Sequence, residues 1–264
     1  MKKYLVIGNP IEHSLSPKLH NYWIKINNIN AIYEKRKLNE DEIKDLIIQI
    51  REKEIYGANV TVPFKNKIIS HLDQLTPESK STQSVNTIYL NNNNVVGHNT
   101  DIYGFEMSIK NIKYNLGGKK ILILGSGGVV PSIIFALKKM KVSQITLSNR
   151  TREKAEKLKD LFEDLNIVNW GEVPNFDMVI NATSLGLKQD DRIEIDFSST
   201  GKNKFFYDVI YNFKETHFLK LGREMGNKTE NGEKMFIYQA HSAFNIWHGV
   251  QPNVNQEITE LLKQ

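Results

Sequence analysis

The chain has 264 residues, 40% of them apolar and 25% charged, with a formal net charge of +5 and no cysteine. This is the composition of a globular protein able to bury a sizeable core, and it excludes disulfides, thiolate metal sites and a cysteine nucleophile. No run approaches the roughly 18 apolar residues of a membrane helix, and lysines alternate with glutamates rather than forming a basic block with aromatics, so a solvated surface and a small anionic ligand are expected, not nucleic acid.

Residues 2–8 form the first expected strand. Its apolar run stops at Gly8-Asn9-Pro10, short of the roughly 7–15 residues of a signal-peptide core, so a cytoplasmic protein is expected. "HSLSPKLH" follows at 13–20. Ser16 ahead of Pro17 is a helix-start pattern with Ser16 as the cap. Ser14 and Ser16, beside the unpaired N–H groups of a helix start, are also suited to hold a small anion or a polyol. A helix over 17–28 leads to a strand over 31–38 and a helix over 40–53, whose apolar residues at 43, 46, 47 and 50 have helical spacing. "GANVTV" (57–62) is a strand ending at Pro63. Strands over 85–90 and 95–100 flank four asparagines, a hairpin turn between two apolar runs.

The texture changes near residue 118. A strand, a glycine-rich turn and a helix occupy 119–140, followed by a strand over 143–151, a helix over 151–162 and strands over 176–183 and 202–211. Fully apolar strands alternating with helices predict a parallel sheet covered on both faces. A final amphipathic helix spans 235–247. The division between two domains is expected near 101–117.

Gly125-Ser126-Gly127-Gly128 lets backbone N–H groups approach a pyrophosphate at the start of a helix. The G-x-G-x-x-G pattern is incomplete, since Val130 stands where its third glycine would be, and the Lys-Ser/Thr pair of a P-loop is missing. Where an NAD site usually carries a carboxylate, the second strand ends Ser148-Asn149-Arg150-Thr151-Arg152-Glu153-Lys154. A guanidinium, a hydroxyl and two further cations suit the 2′-phosphate of NADP, while Thr151 can equally cap a solvated helix.

Lys65 lies just past a strand end, and Asp101 stands where it could cap a helix running on from Ile102. By residue type alone these are a surface lysine and a capping aspartate. A nicotinamide enzyme, however, needs a proton donor to accompany the hydride, and a lysine held by an aspartate supplies one.

The stretches "GNPIEHSLSP", "GANVTVPFK", "VNT", "HNTDIYGF", "LGSGG", "NRT", "INATSLG", "YDVIY" and "YQAHSAFNIWHG" occur in that order along almost the whole chain. With them the sequence resembles the NADP-dependent shikimate dehydrogenases. The resemblance implies an α/β protein with an N-terminal α/β substrate-binding domain (1–101, with 237–264 packing back on it), a Rossmann-type NADP-binding domain (102–236), and the active site in the cleft between them. It implies reversible NADPH-dependent reduction of 3-dehydroshikimate to shikimate, a step of chorismate and aromatic amino acid biosynthesis. Lys65 and Asp101 would be catalytic. Ser14 and Ser16 would hold the substrate carboxylate, and Asn59, Thr61, Asn86, Tyr211 and Gln239 would complete the substrate site with Lys65 and Asp101. Gly125, Ser126, Gly127, Gly128, Val129, Asn149, Arg150, Thr151, Lys154 and Thr183 would hold NADP, with Val209 and Gly232 on its nicotinamide half. No metal, nucleic acid or membrane is implied, and the protein would be a monomer or homodimer.

The sequence departs from the family at Val129-Val130-Pro131, where the loop usually runs through alanine and a basic residue, at His98, and at "NGEKMF" (231–236), where the family has a glycine-rich "DGLGM". Three rivals are an NAD-dependent quinate/shikimate dehydrogenase, a sensor that kept the pocket without turnover, and a basic nucleic-acid-binding protein. Arg150 and the two serines weigh against the first, and the Lys65/Asp101 pair against the second.

Overall fold

Runs of apolar residues set the centre of each sheet. Tyr4 to Ile7 are at most 3% exposed, as a strand flanked on both sides requires. The computed structural model describes residues 1–188 and 190–263. The chain divides into two units, one made of residues 1–104 with those from Ile237 on, the other of Phe105–Phe236.

The first unit begins β1 (Lys2–Gly8), α1 (Ser16–Ile26), β2 (Ala31–Lys37), α2 (Ile43–Arg51), β3 (Gly57–Val60), α3 (Phe64–Lys67), β4 (Gln74–Leu75), α4 (Pro77–Thr82), β5 (Thr87–Asn91) and β6 (Asn94–His98). Its sheet runs β2-β1-β3-β5-β6-β4. β1 is parallel to β2 and β3, whereas β5 is antiparallel to β3 and β6. Asn92 and Asn93 turn the β5–β6 hairpin with φ of 46° and 66°, a left-handed conformation that asparagine tolerates better than other side chains. Ile43, Leu46, Ile47 and Ile50 of α2 are buried at the expected helical spacing.

The chain passes into the second unit within α5 (Asp101–Asn111). There follow β7 (Lys120–Leu124), α6 (Val130–Lys139), β8 (Gln144–Ser148), α7 (Arg152–Glu156), β9 (Asn166–Val168), β10 (Met178–Asn181), β11 (Phe205–Asp208), α8 (His217–Glu224) and β12 (Lys228–Glu230). All pairs in this second sheet are parallel, in the order β12-β11-β10-β7-β8-β9. Strand order reverses between β7 and β10, the switch point outside whose carboxyl ends doubly wound sheets bind ligands. The chain leaves this unit within α9 (Glu233–His248) and ends with α10 (Gln256–Lys263). Trp247 of α9 donates from Nε1 to Ile88 O at 3.0 Å. It lies against Gly57, where a Cβ would stand 2.3 Å from the indole nitrogen.

Several expected boundaries shift. The helix expected over 40–53 opens as a 3-10 turn at Glu40–Glu42, and the one over 151–162 ends as α-helix at Glu156 and continues as a 3-10 turn to Asp160. The strand over 202–211 contracts to Phe205–Asp208. Among the described residues, no helix is long and apolar enough to cross a membrane.

The first unit also buries His20 completely. Its ring stacks on Tyr33 (centroids 4.1 Å apart, 4° between planes), with Trp23, Phe244 and Trp247 around it. Neither ring nitrogen has a hydrogen-bond partner among the described residues. Burial, then the charge on nearby His248, pushes the imidazole down to about 3. Between that value and the ordinary one near 6.5 only the unfolded chain takes up this proton, so stability falls as pH is lowered from about 6.5 toward 3, by up to about 1.4 kcal/mol per pH unit from this residue. His248, also depressed by burial, acts in the same direction. Urea unfolding between pH 4 and 7 is expected to show a shallower acid decline in His20→Phe than in the wild type; parallel curves would remove His20 as the cause.

Candidate functional site

The polar residues of the first unit converge on Asp101. Lys65 Nζ bonds Asp101 Oδ2 at 2.5 Å, and the two side chains are only 12% and 7% exposed. Pro63 halts β3 and Lys65 sits in the short helix α3, its carbonyl accepting Val85 N–H at 2.8 Å. That bond ties the lysine to the backbone beside Asn86.

Asp101 does not cap α5 from outside; it is the first helical residue. Asn99 Oδ1 takes the Asp101 N–H instead, at 3.1 Å. The aspartate side chain is thereby left to its partners: Asn86 Nδ2 donates to Asp101 Oδ1 at 2.9 Å and lies near Thr100 Oγ1 (2.9 Å) and Gln239 Oε1 (3.4 Å). Asn86 Oδ1 accepts Thr100 N–H at 2.7 Å and the Thr87 hydroxyl at 3.0 Å. Lys65, Asn86, Asp101 and Gln239 therefore share one cluster.

Asn59 backs this cluster. Its Nδ2 donates to Asn86 O and Thr87 Oγ1, both at 3.0 Å, while its Oδ1 accepts the Tyr33 hydroxyl at 2.6 Å. Both amide protons are thus committed within the protein. Thr61 is half-buried, with backbone bonds to Ile7 O and from Phe64 N–H, both 2.9 Å.

The serines differ from expectation in one respect. The helix α1 begins at Ser16, with Leu15 in the cap position already in helical conformation (φ −87°, ψ −3°) and making no side-chain cap bond. Ser14 Oγ accepts the Ser16 N–H at 3.3 Å. Because the chain turns helical one residue before Ser16, Ser14 meets the open N–H group and Ser16 lies in the first turn, buried. His98, one of the departures, pairs through Nδ1 with Thr76 Oγ1 at 2.9 Å.

In the second unit, β7 is followed by Gly125, whose φ is +105° and where a Cβ would stand 2.7 Å from Ala182 O; only glycine fits. Ser126, Gly127, Gly128 and Val129 carry the chain to the start of α6. Pro131 lies in the first turn of α6, so its missing N–H falls among those a helix start leaves unpaired. At the end of β8, Asn149 Nδ2 donates to Thr151 O at 2.7 Å. Thr151 occupies the N-cap position of α7 but makes no side-chain cap bond. Arg152 is engaged by Glu156 and Asn169, whereas Arg150 and Lys154 are exposed and have no carboxylate partner among the described residues. Two of the three cations at this strand end are therefore open to an anion.

Thr183 is held by its N–H and its hydroxyl on Asn181 Oδ1, at 3.0 and 2.7 Å. Gly232 packs on Val209, whose carbonyl oxygen would stand 2.1 Å from a Cβ there. In the departing segment 231–236, Asn231 Oδ1 accepts Glu233 N–H at 3.1 Å and Lys234 pairs with Glu230 at 2.8 Å. Tyr211 belongs to this unit and stacks on Phe236 (4.3 Å, 16°), and burial pushes its phenol up to about 12. The substrate residues expected from the sequence thus divide between the units. Tyr33, Thr87 and Thr100 enter the network without having been singled out. Thr87 and Thr100 adjoin Asn86 and Asp101 in sequence, which is a usable signal; Tyr33 has none.

The glycine cradle beside Ala182, the open cations at Arg150 and Lys154 and the helix start at α6 fit a phosphorylated dinucleotide. The profile of the shikimate dehydrogenase substrate binding domain matches residues 6–88, and that of shikimate/quinate 5-dehydrogenase matches 107–208. The chain is 56% identical over 261 residues to shikimate dehydrogenase (NADP(+)) of Pelagibacter ubique, covering 99% of this chain and 98% of that one. The shikimate dehydrogenase structure from Aquifex aeolicus superposes with a TM-score of 0.91 at 36% identity, over 100% of this chain and 98% of that one. The Thermus thermophilus enzyme, in complex with NADP(H) and shikimate, superposes with a TM-score of 0.90 at 27% identity, over 100% and 99% of the two chains. Two domain profiles in order, and a relative this similar from end to end, place the chain in the shikimate dehydrogenase family.

Proposed function

We propose that this protein catalyses the reversible NADPH-dependent reduction of 3-dehydroshikimate to shikimate. The observation that carries the reading is the buried Lys65–Asp101 pair, tied through Asn86 to Gln239. A lysine fixed at 2.5 Å from a carboxylate has a defined direction, which proton transfer to a carbonyl oxygen requires. When bound, NADPH supplies the hydride that reduces the C3 carbonyl. Lys65 gives its proton to the carbonyl oxygen, which becomes the hydroxyl, and takes it back in reverse; Asp101 holds the ammonium in place.

Ser14 and Ser16 at the start of α1 hold the substrate carboxylate, and Thr61, Asn86, Gln239 and Tyr211 take its hydroxyls. Asn59, whose amide protons are already bonded inside the protein, serves by holding Asn86 and Thr87. Gly125 to Val129 cradle the pyrophosphate, Arg150 and Lys154 grip the 2′-phosphate beside Asn149 and Thr151, and Thr183, Val209 and Gly232 face the nicotinamide half.

The same reading makes the protein a cytoplasmic monomer or homodimer without a nucleic-acid partner. The interleaving of charge supports the last of these: Lys3 with Glu34, Arg51 with Asp73, Lys138 with Asp164 and Arg223 with Glu215 break up the basic surface.

The test is the decay of NADPH absorbance with 3-dehydroshikimate, with NADH run in parallel. Turnover with NADPH is expected; none with either cofactor, from protein that still binds shikimate, would sink the reading. Lys65→Ala is expected to lower kcat about 10²–10⁴-fold, the usual worth of a positioned acid or base, with a much smaller change in KM. Arg150→Ala is expected to raise KM for NADPH about 10–100-fold, the worth of a charge-assisted bond of about 1.5–3 kcal/mol, and to leave KM for NADH unchanged. An equal rise for both cofactors would place Arg150 elsewhere.

A further inference from the structure

One buried carboxylate has no part in the chemistry above. Asp208 ends β11, is 0% exposed, and lies opposite Asn181 at the end of β10. Its Oδ1 accepts Asn181 Nδ2 at 3.1 Å and Ile210 N–H at 3.0 Å, and its Oδ2 accepts the Thr216 hydroxyl at 2.6 Å.

Each donor leads on to further contacts. Asn181 turns its Oδ1 to the N–H and hydroxyl of Thr183, and donates from Nδ2 to Leu185 O at 3.0 Å as well. Leu185 N–H returns to Thr183 Oγ1 at 3.0 Å, closing the loop over Ala182, which is the residue that confronts Gly125. Ile210 is pinned by its N–H, and its carbonyl takes the Gly232 N–H at 3.0 Å. This seats Gly232 against Val209, where no Cβ fits. Thr216 is the N-cap of α8 and closes the segment that begins at Val209.

A carboxylate is a costly way to fill this position. Phe205 and Phe206 precede it in the same buried strand, and an apolar residue would carry no desolvation penalty. Burial pushes the Asp208 carboxyl up to about 6, against the opposing bonds from Thr216, Ile210 and Asn181. What the carboxylate provides is two oxygens able to accept three donors at once. Through those donors it holds Thr183, Val209 and Gly232, the three residues placed at or near the nicotinamide half of the cofactor.

We infer that Asp208 is a positioning residue for the dinucleotide, setting Thr183 through Asn181, and Val209 and Gly232 through Ile210. The inference rests on the NADP reading above and adds to it a residue that acts only through others.

The test compares Asp208→Asn with the wild type in NADPH binding, followed by nicotinamide fluorescence, and in shikimate binding. Asn keeps the shape and one acceptor oxygen but removes the charge, and its Nδ2 must donate to the Thr216 hydroxyl instead of accepting from it. The NADPH Kd is expected to rise about tenfold or more, the scale of losing a charged acceptor shared by several donors, and the shikimate Kd by a clearly smaller factor, since of the proposed substrate residues only Tyr211 lies in a stretch that Asp208 pins. Amide exchange is expected to quicken at 183–186, 209–211 and 231–232 while β7 stays protected. An unchanged NADPH Kd, or equal weakening of both ligands as from general loosening, overturns the inference. If Asp208→Asn does not fold, Thr216→Val decides it. Near-isosteric and missing one bond of three, it is expected to raise the NADPH Kd about threefold and the shikimate Kd less; an unchanged NADPH Kd again overturns the inference. Wild-type protein that binds no NADPH would instead refute the cofactor reading itself, so the two failures are distinct.

Discussion

A charge taken out of water must be met on every side, and the Lys65–Asp101 pair imposes that condition on the first unit. Desolvation costs several kcal/mol per ion, and mutual attraction offsets it only when the remaining lone pairs and protons are also satisfied. Asp101 meets this through Lys65 on one oxygen and Asn86 on the other, while Asn99 takes its backbone N–H. Asn86 can reach Asp101 only where the start of β5 lies beside the end of β6, and Lys65 only where α3 follows β3 at once. The hairpin, the break at Pro63 and the start of α5 therefore all serve one ion pair.

Asn59 shows how far that demand spreads. Its side chain makes no bond to Asp101, yet it holds Asn86 and Thr87 and is itself held by Tyr33. Tyr33 in turn lies flat on His20, inside an aromatic cluster that includes residues of α9. The Lys65–Asp101 geometry is thus braced by apolar packing through a chain of polar contacts. A loosely held amide would not fix an ammonium to within a bond length, and orientation is what proton transfer depends on.

The second unit solves a related problem with different means. Its glycine turn and helix start provide backbone N–H groups, and in the proposed reading selectivity for a phosphorylated ribose falls to exposed cations that need no burial. Of the three at the end of β8, Arg152 is drawn to Glu156 and Asn169, which leaves Arg150 and Lys154. Charge alone does not separate the three; the neighbours on α7 and past β9 do. Where burial is required, at Asp208, the carboxylate again gathers donors from several segments.

Much of this was legible from the sequence because it is local. Apolar runs and the 43-46-47-50 spacing mark strands and a helix; Asn92-Asn93 marks a hairpin; a strand, Gly125 and a helix mark a dinucleotide turn. These depend on φ preferences and on burial repeating along the chain, which each residue carries with it. β4, β9 and β12 leave no mark in the sequence, because two or three residues hold no period. That Ser14, not Ser16, meets the open N–H at the start of α1 turned on the backbone of Leu15. The partners of the buried polar groups were decided by the tertiary structure alone. Lys65 and Asp101 are 36 positions apart, and Asn86 and Gln239 are 153 apart. A hydrogen bond needs its two atoms within about 3 Å, and only the completed sheets bring such distant residues that close. Sequence by itself determined which chemistry the chain could carry; the fold decided which carboxylate meets which donor, because only packing removes the water that would otherwise serve as everyone's partner.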